Sequence, residues 1–126
     1  MIRIHTSQDL HKLQHLKNKK KILVRFMMDG CPHCVNSQSS WDDAEKKTKM
    51  SPDDAIAEIE ASFLEDFKKI VGRTINVSGY PSILLIHPNG IHVHNTRDTS
   101  SIVKLIKSMK LKTRNKRKRK TRLNRF

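Results

Sequence analysis

The sequence predicts an α/β domain in which a central mixed β-sheet is flanked by helices on both faces. Two short runs dominated by large apolar residues, Ile22-Leu23-Val24-Arg25-Phe26-Met27-Met28 and Ser82 to His87, read as buried strands. Strand-like and helix-like segments alternate along the chain, the pattern of a sheet covered by helices. The length, 126 residues, suits one compact domain rather than two.

Each element has a local reason. Ile2 to His5 reads as a short edge strand. Thr6 opens a helix, with Asp9 three positions on at capping-box spacing and Leu10, Leu13 and Leu16 forming a narrow apolar stripe. Lys17-Asn18-Lys19-Lys20-Lys21 breaks that stripe as a solvated turn, and the strand that follows ends at Asp29-Gly30. From Pro32 to about Lys49 the chain reads as mostly helix, anchored by Val35, Trp41 and Ala44, with Trp41 a packing residue. Ser51-Pro52-Asp53-Asp54 has the features of a helix start: a cap, a proline and acids in the first turn. Ala55 to Ala61 then reads equally well as helix or as a short central strand before a helix from Ser62 to Ile70. Thr74 to Val77 is extended, Ser78-Gly79-Tyr80-Pro81 is a turn, and Pro88-Asn89-Gly90 is a hairpin turn into Ile91 to Asn95, since Asn-Gly tolerates positive φ. A closing helix from about Ser100 carries Ile102, Leu105, Ile106 and Met109 at helical spacing.

The charge is unevenly placed. Lys and Arg number 26 against 12 Asp and Glu, a formal charge of +14. Ten of the basic residues and no acid lie from Lys110 onward, which leaves a net of +4 for residues 1–109. The chain therefore divides into a domain, 1–109, and a basic tail, 110–126, expected to be disordered or to extend the last helix. Lys116-Arg117-Lys118-Arg119-Lys120 has the composition of a nuclear-targeting or nucleic-acid patch. Phosphate neutralisation would give it salt-sensitive affinity, and with no aromatics interleaved it would not read sequence. An anionic membrane is the weaker partner, because the tail has no apolar face. No apolar run approaches the roughly 20 residues of a membrane span. The first residues lack the apolar core and cleavage site of a secretory signal. The expected location is intracellular, cytoplasmic or nuclear, or within a virion.

Cys31-Pro32-His33-Cys34 carries the chemistry. Two cysteines three positions apart, between a buried strand and a helix, suit dithiol–disulfide exchange. The helix points its unpaired N–H groups and positive end at Cys31, which favours the thiolate that attacks. Cys34, one turn inside, would resolve a mixed disulfide. His33 would further favour the charged sulfur, and Pro32 sets φ where no N–H is missed. A stabilised reduced form makes the couple comparatively oxidising.

These residues carry a resemblance. Ile22 to Phe26, Cys31 to Cys34, then Gly79-Tyr80-Pro81-Ser82-Ile83-Leu84-Leu85 and Asn89-Gly90 resemble a thioredoxin-fold thiol–disulfide oxidoreductase, in order across about residues 2–109. The Pro32-His33 dipeptide resembles the bacterial periplasmic oxidases, and Ser78 to Pro81 resembles protein disulfide isomerase domains. Met28 to Cys34 with Trp41 is similar to thioredoxin-like proteins of large DNA viruses. The resemblance implies a thioredoxin-like fold with residues 56–61 as its central strand. It implies that Pro81 is a cis-proline facing the disulfide. It also implies that the Tyr80 backbone pairs with an extended protein substrate while its side chain tunes access to Cys31. No cofactor is implied.

Three positions depart from the family pattern. Arg25 stands six residues before Cys31, where thioredoxins place a buried carboxylate that relays protons; buried, it would favour thiolate, but it could equally face solvent. Gly30 replaces the usual aromatic and removes part of the substrate platform. The helix proline usual five residues after the second cysteine is absent, with Ser39 and Ser40 in that region. A zinc site would need two more ligands, and none of His5, His11, His15, His87, His92 or His94 follows the cysteines at finger-like spacing, so no metal is expected. His92 and His94 alternate on an edge strand and are assigned no role. The competing function is a non-catalytic nucleic-acid-associated or virion structural protein that uses the fold as a scaffold.

Overall fold

The structure, a computed structural model, describes residues 1–94 and 96–109. Its central strand is β2 (Lys21–Met27), in which every residue after Lys21 is buried. β2 pairs in parallel with β3 (Asp54–Glu60) on one side and antiparallel with β4 (Ser82–His87) on the other. β1 (Ile2–Ile4) adds in parallel to β3, and β5 (Gly90–His94) adds as a hairpin to β4, giving the order β1-β3-β2-β4-β5.

Strand alternation divides the core into two halves. On one face, Ile22, Val24, Phe26, Ala57, Ile59 and Leu84 pack under a 3₁₀ helix (Ser7–Leu16) and α2 (Leu64–Val71). Phe26 and Phe67 meet there edge to face, with ring centroids 5.4 Å apart. On the other, Leu23, Ile56, Ile83 and Leu85 pack under Trp41 and Ala44 of α1 (Pro32–Lys46) and under Ile102, Ile106 and Met109 of α3 (residues 99–109). A mixed sheet with helices on both faces is the architecture the sequence predicts.

Several expected boundaries move, each for a local reason. The helix after Thr6 is 3₁₀ rather than α. Leu10, Leu13 and Leu16 recur every third residue, which aligns them in a helix of three residues per turn and not in one of 3.6. The capping box of Thr6 and Asp9 is present. α1 stops at Lys46 instead of near Lys49, where the Thr48 hydroxyl folds back to the Ala44 carbonyl at 2.9 Å. Ser51 to Asp54 does not start a helix: the Asp54 N–H bonds the Ser51 carbonyl at 3.0 Å, and the Asp53 carbonyl accepts the Lys20 N–H at 2.7 Å. The turn delivers Asp54 into β3, so the central strand is 54–60 rather than 56–61. All of its residues are buried between β1 and β2, and pairing on both sides overrides helix propensity.

The helix expected over 62–70 is split into a 3₁₀ turn (Ala61–Phe63) and α2, closed by Gly72 at φ 65°. Thr74 to Val77 joins no strand ladder. The hairpin uses Pro88-Asn89 as its two loop residues, inside the His87–Gly90 pair. No non-glycine residue there has positive φ, because a proline in the first loop position cannot adopt it. α3 begins one residue before Ser100. Asn95 and the tail 110–126, with Lys116 to Lys120, lie outside the described residues. Among those described, no helix is long and apolar enough to cross a membrane.

Candidate active site

β2 ends at Met27, and the chain turns through Met28, Asp29 and Gly30 before α1. Gly30 lies at φ 79°, in the left-handed region, and the Cys31 N–H closes the turn on the Met28 carbonyl at 3.2 Å. That conformation explains why no aromatic stands before Cys31: a side chain at this φ is strained. Glu60, at the end of β3, holds the turn from below. Its carboxylate accepts the Asp29 N–H at 3.4 Å and the Ser62 N–H at 3.0 Å. Burial would raise its pKa, but the bonds from Ser62 and Asp29 outweigh burial and hold it below the usual range.

Cys31 is the N-cap of α1, with Pro32 in the first turn. Its sulfur accepts the Cys34 N–H at 3.2 Å and lies 3.6 Å from the Tyr80 carbonyl oxygen. The Tyr80–Pro81 peptide is cis. The two thiols are unlinked, and they differ in exposure: Cys31 is half-buried, whereas Cys34 is sealed. Their proton affinities diverge accordingly. The hydrogen bond from the Cys34 thiol lowers the Cys31 pKa first; burial opposes it, and the Cys34 and His33 N–H groups and the Arg25 charge reinforce it. Burial pushes the Cys34 thiol up, and its bond to Cys31 adds to that. The first proton lost belongs to Cys31, the pattern that a nucleophile and a resolving thiol require.

The sequence-selected residues are brought together unequally. Cys31, Cys34, Pro32, Gly30, Tyr80 and Pro81 meet beyond the C-terminal end of the central strand β2. The Tyr80 carbonyl faces the sulfur while its half-buried side chain packs against the core half that contains Phe26 and Phe67. His33 is exposed, and what it contributes to Cys31 is its backbone N–H. Met28 and Val35, which flank the dithiol in sequence, are exposed large apolar side chains at 43% and 69%.

Arg25 does not face solvent: it is buried under α1. Its Nη1 donates to Glu58 Oε1 at 2.8 Å and to Gln38 Oε1 at 3.0 Å. Its Nη2 donates to the Cys34 carbonyl at 2.7 Å and to Ser37 Oγ at 3.0 Å. Glu58, wholly buried on β3 opposite Arg25, also accepts Gln38 Nε2 at 2.7 Å and lies 2.6 Å from His5 Nε2. Sequence reading missed Glu58, Gln38, Ser37, His5 and Glu60. The available signal was Arg25 itself, since a cation inside an apolar strand needs an acid on a neighbouring one. Among the described residues, no three of His, Cys, Asp or Glu gather as metal ligands.

A mixed sheet of this order, with Cys-x-x-Cys at the mouth of the helix after its central strand and an X-Pro bond across from the first sulfur, defines a thioredoxin-fold dithiol protein. The chain belongs to the thioredoxin family: the family model described as Thioredoxin matches residues 3–110. Family membership implies a thiol–disulfide oxidoreductase-like function on protein thiols. Among solved structures the chain is similar to the germline-specific thioredoxin Deadhead of Drosophila melanogaster, with TM-score 0.58 and 17% identity over 86% of this chain and 98% of that one. It is similar to the first thioredoxin domain of mouse protein disulfide-isomerase A4, with TM-score 0.58 and 19% identity over 83% and 72%. Against the J-Trx1 fragment of ERdj5 the TM-score is 0.58 at 17% identity, with 86% of this chain spanning 50% of that one. No curated protein sequence matches the chain.

Proposed function

We propose that the protein is an enzyme, a thiol–disulfide oxidoreductase that exchanges disulfides with protein substrates through Cys31 and Cys34. The observation that carries this is the asymmetry of the two sulfurs: Cys31 is accessible, capped by the Cys34 N–H and 3.6 Å from the Tyr80 carbonyl, while Cys34 is buried one turn behind. The Cys31 thiolate attacks one sulfur of a substrate disulfide, the S–S bond breaks, and the other substrate sulfur leaves as a thiolate. Cys34 then loses its proton and attacks Cys31, which releases the second substrate thiolate. Run backwards, the same steps oxidise a substrate dithiol. Tyr80 and Pro81 line the approach, and Met28 and Val35 offer apolar contact to an extended peptide.

The basic tail serves as a tether to nucleic acid or as a nuclear or virion address. Its root supports that division of labour. Lys21 Nζ donates to the Met109 carbonyl at 2.8 Å, so the last described residue lies at the end of β2 opposite Cys31. The test is trapping: Cys31→Ser abolishes turnover, and Cys34→Ser accumulates mixed disulfides with protein substrates. A Cys34→Ser protein that captures none overturns the catalytic reading and leaves the scaffold one.

A further inference from the structure

The position that carries a proton-relaying carboxylate in thioredoxins here carries a cation that cannot accept a proton at any working pH. Both terminal nitrogens of its fork are engaged. Nη1 is held by Glu58 and Gln38, and Nη2 grips the Cys34 carbonyl and the Ser37 hydroxyl. Around Glu58 stand His5 Nε2 at 2.6 Å and Arg3 Nη1 at 3.9 Å, and Arg3 itself is bonded to Asp42 at 2.8 Å. The charges are thus ordered in depth. The guanidinium lies on the dithiol side, against the helix turn that holds Cys34, and the carboxylate lies behind it on β3.

We infer that Arg25, fixed by Glu58 and Gln38 against the Cys34 carbonyl, is a positioning residue that sets the poise of the dithiol and biases it toward oxidising protein dithiols. The inference rests on the exchange activity proposed above and names its direction. A fixed cation favours the thiolate-bearing reduced form over the neutral disulfide, which makes the couple a stronger oxidant. Its charge acts in the same sense on both thiols, lowering the proton affinity of each. In the oxidising direction a substrate thiolate attacks Cys31, the Cys31–Cys34 bond breaks, and Cys34 leaves as a thiolate next to the guanidinium. The second substrate thiolate then attacks the substrate sulfur of the mixed disulfide and expels the Cys31 thiolate. Two electrons pass from substrate to dithiol, and the two substrate protons pass to solvent and Cys34. A low-molecular-weight disulfide such as oxidised glutathione takes the electrons onward and becomes two thiols.

The test uses the full chain equilibrated in glutathione redox buffers, with Cys31 thiolate followed by its ultraviolet absorbance. Glu58→Gln keeps one oxygen for Arg25 and Gln38 but removes the counter-charge that masks the guanidinium, and should favour the dithiol about tenfold, or ~30 mV for two electrons. The double variant Arg25→Met/Glu58→Met removes both charges without stranding either, and should shift the equilibrium about tenfold the other way. Arg25→Lys keeps a cation but not the fork that spans Glu58, Gln38, Ser37 and the Cys34 carbonyl, and should fall between the original and the double variant. A packing role alone would move all three in one direction or none of them, and either result overturns the inference. If the opposite shifts occur but the protein neither oxidises a reduced two-cysteine peptide nor reduces its disulfide, the proposed activity fails while the assignment of poise stands.

Discussion

Gly30 offers the cleanest measure of how backbone geometry holds the site. It sits at φ 79°, and a Cβ built there meets no atom within 4 Å, so Gly30→Ala adds no clash and isolates the backbone penalty. That penalty for an L-residue in the left-handed region is roughly 1–2 kcal/mol. In a domain of this size it corresponds to a fall in Tm of about 4–9 °C. Gly79 is the internal control. It has equally open space and no positive φ, so Gly79→Ala should be neutral or gain up to ~1 kcal/mol through the unfolded chain. Gly72, at φ 65° in the cap of α2, should lose about as much as Gly30 (roughly 1–2 kcal/mol), but far from the dithiol. Urea unfolding of the three variants gives the energies, and the alkylation rate of Cys31 gives the local effect. Only Gly30→Ala should slow alkylation, because Gly30 lies within the turn that the Cys31 N–H closes on Met28. Should Gly30→Ala cost no more than Gly79→Ala, strain at this turn is not what excludes a side chain before Cys31.

Two further outcomes follow from the site. Alkylation of the reduced protein should proceed at Cys31 well below the ordinary thiol range near pH 9.0 and at Cys34 only above it, read by mass spectrometry across pH. The sign extends to stability: the lowered Cys31 pKa favours the reduced fold above the ordinary thiol value, and that contribution fades as pH falls through the lowered one. Val35→Ser and Met28→Ser should each reduce kcat/KM toward a two-cysteine peptide by about fivefold, as expected for losing ~1 kcal/mol of apolar contact. The equilibrium with glutathione should not move, and an equal loss toward glutathione would remove these side chains from substrate contact.

Much of this was legible before the structure because it rests on local rules. Ile22 to Met27 can be read as a buried strand from its own composition, and Gly-Cys-Pro-His-Cys announces a helix start with a sulfur at its cap. What could not be read depends on register. Glu58 and Glu60 lie in Ala-Ile-Ala-Glu-Ile-Glu, where polar residues at every second position look like a solvated face. Only the pairing of Arg25 with Glu58 across β2 and β3 turns one of those acids into the buried counter-charge. Ser51-Pro52-Asp53-Asp54 failed for the converse reason: its capping signals are genuine, but they serve a turn that feeds a strand paired on both sides. The 3₁₀ helix is legible in principle, since Leu10, Leu13 and Leu16 recur with a spacing of three that fits three residues per turn.

Met109, the last described residue, and the dithiol lie at opposite ends of β2, and that separation has a measurable consequence. The seven residues of β2 put the Met109 carbonyl, where the tail begins, about 20 Å from the level of the Cys31 turn. At physiological ionic strength the Debye length is about 8 Å, so charges rooted there are largely screened at the sulfur, whereas Arg25, buried against Cys34, is not. Ending the chain after Met109 removes ten positive charges and should leave the glutathione equilibrium within about twofold of its original value, while abolishing salt-sensitive retention on duplex DNA. Glu58→Gln changes a single charge and should move the same equilibrium by more. Were the truncated protein to become markedly more reducing, with the difference collapsing at high salt, the tail would have to reach Cys31 and the poise would no longer be set from within the core.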